Sequence, residues 1–203
     1  MRPKVLDLAS REGRHPTWEM ALIYPDQGGW TVDEYLRLDI GRHVEFQSGT
    51  VEFQPMPDEK HQAILFLLVQ ALKAFAARQG GKATMAPFPI RLWEEKFREP
   101  DAVFMKKVNL HRCQMKFWEG ADIAMEVLSE STRDLDLEVK RAEYARAGIP
   151  EYWIIDREDR GITVLTLQGG QYAVHGRYTE GQRAASQALA GFEVTVAEVL
   201  AAE

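Results

Sequence analysis

One cysteine, Cys113, is all the thiol in this 203-residue chain. That excludes an internal disulfide and a structural zinc site built from several thiolates, so any bound metal must use oxygen or nitrogen ligands. Cys113 itself reads as an ordinary loop residue. Long apolar runs are also missing, and none approaches the roughly 18 to 20 residues that a membrane helix needs. At the N-terminus, Met1-Arg2-Pro3-Lys4 leads into Val5-Leu6-Asp7-Leu8, too short and too charged for a signal core. A cytoplasmic protein with no membrane partner is expected. Positive charge is in deficit: 25 Lys and Arg stand against 31 Asp and Glu, for a net charge of −6. A nucleic-acid substrate would therefore need a local basic patch or bridging cations. The chain has no internal repeat and no low-complexity stretch.

What is present suits a folded globule: 45% of residues are apolar, with five Trp and nine Phe. The length fits one well-packed core, and a second full domain would be cramped. Residues 1–30 mix charge, Pro and Gly and read as an arm, and residues 31–203 read as a single domain. Thr31 or Asp33 can cap a short helix through Tyr35 and Leu38. His43 to Phe53 alternates across Ser48-Gly49 as a hairpin, with Val44 and Phe46 facing one way and Glu45 the other. From Asp58 to Arg78, Ile64, Leu65, Leu68, Leu72 and Phe75 recur at helical spacing, closed by Gly80-Gly81. Ala83–Trp93 and Asp101–Lys107 read as strands around a charged turn, Glu94–Glu99. Asp122–Leu128 reads as a strand covered on both faces. Ser131-Thr-Arg-Asp134 fits a capping box, opening a helix that ends near Gly148-Ile149-Pro150. Tyr152–Ile155 begins another buried strand, Ile162–Leu167 and Gln171–Arg177 form a second hairpin, and Val196–Leu200 a short helix. The order predicts an α/β (α+β) protein, a mixed central sheet flanked by helices.

Two carboxylates carry the chemical signal. Asp101 follows Pro100 at the head of one apolar run, and Glu126 lies inside the next. The pattern is Pro-Asp…Glu-x-Lys without its lysine: Leu128 stands in that place, and the nearest candidate is Lys140 on the following helix. Carboxylates on adjacent strands repel by roughly 3 kcal/mol at an effective dielectric of about 20, and a divalent cation removes that cost. Oxygen ligands suit Mg²⁺ or Mn²⁺, whose natural use here is phosphodiester hydrolysis, with a lysine stabilising the transition state. Plainer readings stand beside each residue. Asp after Pro is common at a strand start. Glu126 would cost several kcal/mol in an apolar run unless paired or metal-bound, and Lys140 or Arg141 could be that pair. Lys140 alone reads as a solvated helix residue. His61 opens the Ile64-Leu65-Leu68 stripe and reads more simply as a packed helix-start histidine than as a base or ligand. Tyr152, Trp153 and Asp156 read as strand-core residues and a strand-end acceptor.

The residues Pro100-Asp101…Asp122-Ile-Ala-Met-Glu126-Val-Leu-Ser-Glu-Ser-Thr-Arg-Asp134…Lys140-Arg-x-x-Tyr144-x-x-x-Gly148-Ile-Pro-Glu-Tyr-Trp-Ile-Ile-Asp156 resemble the Uma-two family of restriction-endonuclease-like proteins, in the PD-(D/E)XK nuclease superfamily. The Glu45…Gly49…His61 segment resembles the family's N-terminal part, and coverage is most of residues 31–200. The resemblance implies a restriction-endonuclease-like fold, with Asp101 and Glu126 as metal ligands and the Val127 carbonyl as a possible third. It implies Lys140 as the displaced lysine and Glu45 completing the acidic cluster; on alternation alone, Glu45 would be merely solvated. It also implies a DNA substrate and a homodimer or higher homo-oligomer. The chain departs from the superfamily at Leu128, as the family commonly does, and has Glu130 where the family often has Pro.

Between the two acidic strands, Lys106-Lys107…His111-Arg112…Lys116-Phe117-Trp118 forms a basic loop with aromatics, expected beside the site, where it could contact phosphates. Its plainer reading is a solubilising surface loop. The leading expectation is a Mg²⁺- or Mn²⁺-dependent DNA endonuclease with Asp101, Glu126, Lys140, Glu45 and His61 in its catalytic site. One rival is a catalytically silent nucleic-acid or protein-binding module on the same fold. The other is a metal phosphohydrolase for small phosphate esters.

Overall fold

The computed structural model describes residues 25–38 and 40–203. The expected arm therefore lies mostly outside the described residues. Helix α1, Val32–Tyr35, opens with a reciprocal cap in which Thr31 accepts from Glu34 N and the Glu34 carboxylate accepts from Thr31 N. Strands β1, Val44–Gln47, and β2, Thr50–Phe53, form the expected hairpin. Its two turn residues, Ser48 and Gly49, both have positive φ, at 45° and 80°, which matches the right-handed twist of the strands. Helix α2, Glu59–Gln79, buries the predicted stripe and is capped by Asp58, whose carboxylate accepts from His61 N at 2.7 Å.

The expected strand Ala83–Trp93 is two strands in different sheets: β3, Lys82–Met85, and β4, Ile90–Trp93. Pro87 and Pro89 lie between them, and neither can donate to a ladder. The expected charged turn is instead partly strand β5, Lys96–Arg98, with all three residues buried. The charges survive burial because they are paired: Lys96 with Glu143, and Arg98 with Glu45 and Glu143. There follow β6, Ala102–Met105, β7, Trp118–Glu119, and β8, Ile123–Val127. The capping box at Ser131…Asp134 does not form: the Ser131 hydroxyl pairs with that of Ser129, and the N-cap position falls at Asp134, which makes no side-chain capping bond. The helix winds through a π segment, Leu135–Lys140, into α3, Arg141–Arg146. The chain ends with β9, Glu151–Asp156, the hairpin β10, Gly161–Gln168, and β11, Gln171–Thr179, then β12, Arg183–Ala185, β13, Glu193–Thr195, and α4, Val196–Ala201.

The architecture is mixed α/β. A six-stranded sheet has the order β11-β10-β9-β8-β6-β3, in which β8 and β9 run parallel and the other pairs antiparallel. A five-stranded sheet, β2-β1-β5-β4-β7, carries the N-terminal hairpin. Alternation along β8 divides the core. Ile123, Met125 and Val127 pack on the α2 side with Ile64, Leu68 and Phe75. Ala124 and Leu128 pack on the other side with Tyr144, Ile149 and Tyr152. Glu126 shares the parity of Ala124 and Leu128, so its side chain leaves the strand toward the π segment and α3.

Candidate active site

Strand pairing brings the two carboxylates together. Because β6 and β8 are antiparallel with Ala102 opposite Met125, the start of β6 meets the end of β8. Asp101 and Glu126 thus share one end of the sheet. Asp101 Oδ2 accepts from Val127 N at 2.7 Å, and Glu126 Oε2 lies 3.4 Å from Asp101 N. The N–H and carbonyl of one strand residue point to the same side, so the Val127 carbonyl also faces β6 and the site.

The lysine arrives from the helix. Lys140 Nζ lies 3.0 Å from Glu126 Oε1 and 2.8 Å from Asp136 Oδ1. Tyr144, one turn on, donates to Glu126 Oε1 at 2.7 Å. A lysine at position 128 would leave the strand on the same face as Glu126. Leu128 fills that place with apolar packing, and the helix covering the face returns the ammonium from above. Lys140 is buried rather than solvated, with 5% of its surface exposed, and Glu126 has 3%.

Burial drives the Glu126 carboxyl well above its usual range, and the Lys140 ammonium opposes that shift. Asp136 is raised for the same reason, burial against Lys140. Burial works against the Lys140 charge, but the carboxylates of Glu126, Glu45, Asp136 and Asp101 outweigh it and raise its pKa. A cavity of about 640 Å³ opens over these groups, within the range of small-ligand sites. Asp101, Glu126, Val127, Asp136, Lys140 and His61 line its floor and wall, and Arg157, Met56 and the hydroxyls of Ser129, Ser131 and Thr132 lie around them.

Residues 32–197 match the family model described as "Uma2: Putative restriction endonuclease". The chain belongs to the Uma2 family. A solved structure described as a putative nuclease belonging to DUF820 from Anabaena variabilis is similar in fold, with a TM-score of 0.67 and 17% identity. The similarity covers 84% of this chain and 97% of that one. No curated protein sequence matches the chain.

In this Uma2 protein the other expected site residues divide. His61 joins the site, with Nε2 3.0 Å from Asp101 Oδ1. Glu45 is buried, not solvated, but it is taken up elsewhere: it pairs with Arg98 and accepts from Gln54 Nε2 at 3.0 Å and Glu99 N at 3.2 Å. It is absent from the cavity lining.

The basic loop is not beside the site. Lys106 follows β6 and Asp122 precedes β8, so the loop joins the ends of those strands opposite to Asp101 and Glu126. Four strand residues put it roughly 13 Å or more away. Asp122 anchors it there, accepting from Lys106 N and Asn109 Nδ2 at 2.6 and 2.7 Å. Lys116 donates to Leu36 O, Lys107 packs along Gly80, and the Arg112 guanidinium lies over Gly120. Sequence reading missed this because it placed the loop between the strands without their direction.

It also missed Asp136, Glu99 and His43, which line the cavity. Asp136 had a legible signal, its i,i+4 spacing to Lys140. Glu99 and His43 had none, since they meet through the pairing of β1 with β5. Burial lifts the Glu99 carboxyl to about 8, and burial lowers His43.

Among the described residues, no three His, Cys, Asp or Glu side chains stand ready-made as a metal cage. The donors nonetheless fit a hard or borderline cation. Asp101 Oδ1 faces His61 Nε2, both ring nitrogens of buried His61 lack a hydrogen-bond partner among the described residues, and Val127 lines the same cavity. Among the described residues, no helix is long and apolar enough to cross a membrane.

Proposed function

We propose that this Uma2 protein is a divalent-metal-dependent endonuclease that hydrolyses phosphodiester bonds in DNA. The observation that carries the reading is the convergence of Asp101, Glu126 and Lys140 at one sheet end, on the wall of a cavity. Asp101, Glu126 and the Val127 carbonyl would hold Mg²⁺ or Mn²⁺. When bound, the cation supplies Lewis acidity toward a phosphoryl oxygen and a more acidic water. The chain's own groups do the rest. Val127 N fixes Asp101 Oδ2 and leaves Oδ1 turned toward His61 in the site. Tyr144 and Lys140 hold Glu126 Oε1 and leave Oε2 turned toward Asp101. Lys140 carries a fixed positive charge at the carboxylates, where it lowers the cost of negative charge developing on phosphorus oxygens. Glu45 and Arg98 support the wall behind this charge instead of adding a ligand.

Cleavage of plasmid and linear DNA with added Mg²⁺ or Mn²⁺, by the wild type and by Asp101→Asn, tests the reading. Steady metal-dependent cleavage surviving in Asp101→Asn would overturn it. A second reading has its own observation: Lys140 and Tyr144 already satisfy Glu126 Oε1, as a structural ion pair on a silent binding module would require. Titration calorimetry with Mn²⁺ separates the two, because the silent module gives no binding heat.

A further inference from the structure

Among the described residues, His61 is a buried polar side chain in the cavity wall whose ring has no hydrogen-bond partner. Its side chain is nine-tenths buried, with 10% of its surface exposed, and it lines the cavity. Among the described residues neither ring nitrogen has a hydrogen-bond partner. A buried polar atom left without a partner costs about 1 to 3 kcal/mol. Nε2 nevertheless lies 3.0 Å from Asp101 Oδ1, without the alignment of a hydrogen bond. Two lone pairs at that distance repel, and a misaligned N–H recovers little. A cation shared by the two atoms removes both problems. Neighbouring donors around an octahedral ion with bonds of about 2.1 Å stand about 3.0 Å apart, which is the spacing found here.

The position of His61 is set independently of this contact. Its backbone N–H is capped by Asp58, and Arg157 holds Asp58 through two hydrogen bonds of 2.6 and 2.9 Å. The imidazole is therefore delivered to the cavity by the first turn of α2, while Asp101 is delivered by the start of β6. Two elements from opposite sides of the site present unlike donors to one point.

We propose that His61 supplies a nitrogen ligand beside Asp101 Oδ1, so that the site selects Mn²⁺ over Mg²⁺. The proposal rests on the metal-dependent reading above and deepens it. Imidazole suits first-row transition ions, whereas Mg²⁺ keeps to oxygen and water. Nδ1 has no acceptor to raise the basicity of the ring, so selectivity, more than tight binding, is the signature.

The test is pulsed electron paramagnetic resonance of Mn²⁺ bound to the full chain, with calorimetry for Mn²⁺ and Mg²⁺. Wild type should show nitrogen-14 modulation from a directly bound imidazole, retained in His43→Gln and absent in His61→Gln. The Mn²⁺-to-Mg²⁺ affinity ratio should fall at least tenfold in His61→Gln. Mn²⁺ binding that Asp101→Asn abolishes but that shows no nitrogen coupling in wild type overturns this proposal and leaves the endonuclease reading standing. Nitrogen coupling lost only in His43→Gln overturns the assignment to His61. No Mn²⁺ binding at all overturns both. The wild-type spectrum decides the central point even if a His61 variant fails to fold.

Discussion

Lys140 and Tyr144, one helical turn apart, end on the same oxygen, Glu126 Oε1, at 3.0 and 2.7 Å. This joint grip is what makes a carboxylate tolerable inside an apolar strand. Removing one partner should leave the other groups buried and unbalanced. Lys140→Met is expected to lose about 3 to 5 kcal/mol of stability. Tyr144→Phe, which strips one hydrogen bond from a charged acceptor, should lose about 1.5 to 3 kcal/mol. Urea denaturation monitored by tryptophan fluorescence measures both.

If Lys140 replaces a lysine at position 128, the strand position should serve when the helix position is empty. Position 128 leaves the strand on the same face as Glu126. Adding Leu128→Lys to Lys140→Met is expected to recover at least about tenfold in DNA cleavage over Lys140→Met alone, or about 1.4 kcal/mol in barrier. A double variant that folds but stays at the level of Lys140→Met would argue against relocation.

Asp101→Asn should separate chemistry from folding. An amide oxygen can still accept from Val127 N, so the thermal midpoint should move by only a few degrees. Cleavage should fall by roughly a hundredfold or more, because the charge facing His61 and the cation is gone. Parallel melting curves and initial rates give the comparison.

Glu99 predicts a pH dependence of stability. Burial raises its carboxyl from 4.5 to about 8, so the folded protein keeps a proton that the unfolded chain releases. The contribution is complete below about pH 4.5 and is lost as pH rises through about 8. Over that window Glu99 should reduce stability by at most about 1.4 kcal/mol per pH unit. Glu126 and Asp136 are raised as well, so the quantity to measure is the difference between wild type and Glu99→Gln in chelator-containing buffers. That difference should grow with pH between 5 and 8, with Glu99→Gln relatively more stable at the alkaline end.

Arg98 holds two carboxylates, Glu45 and Glu143, and so ties β1 and α3 through β5. Arg98→Met should unfold at lower denaturant, by about 3 to 5 kcal/mol, because Glu45 loses its buried cationic partner and Glu143 is left with Lys96 alone. A combined Glu45→Gln/Arg98→Met variant should recover part of that loss, measurable as a coupling energy in a double-mutant cycle.

Much was legible without coordinates where the signal is local. The α2 stripe, the Ser48-Gly49 hairpin and the mixed strand-helix order follow from periodicity and turn chemistry, and all three stand in the structure. The nuclease-like fold and the Uma2 membership were legible from residue types at fixed spacing between Glu126 and Asp156. The failures are non-local. Lys96 and Arg98 looked like turn residues because their partners, Glu45 and Glu143, are distant in sequence. The basic loop looked close to the site because adjacency in sequence says nothing about which end of an antiparallel pair a loop joins.

The sequence by itself determined which groups this protein holds: two strand carboxylates, a helical lysine, one histidine at a helix start, and no second thiol. Only the tertiary structure decided which of them meet. Strand direction put Asp101 and Glu126 at one sheet end, helix packing on the Glu126 face brought Lys140 to the carboxylates, and α2 aimed His61 at Asp101. Ion pairing and metal ligation act over a few ångströms, so they depend on register and packing, which no single residue encodes.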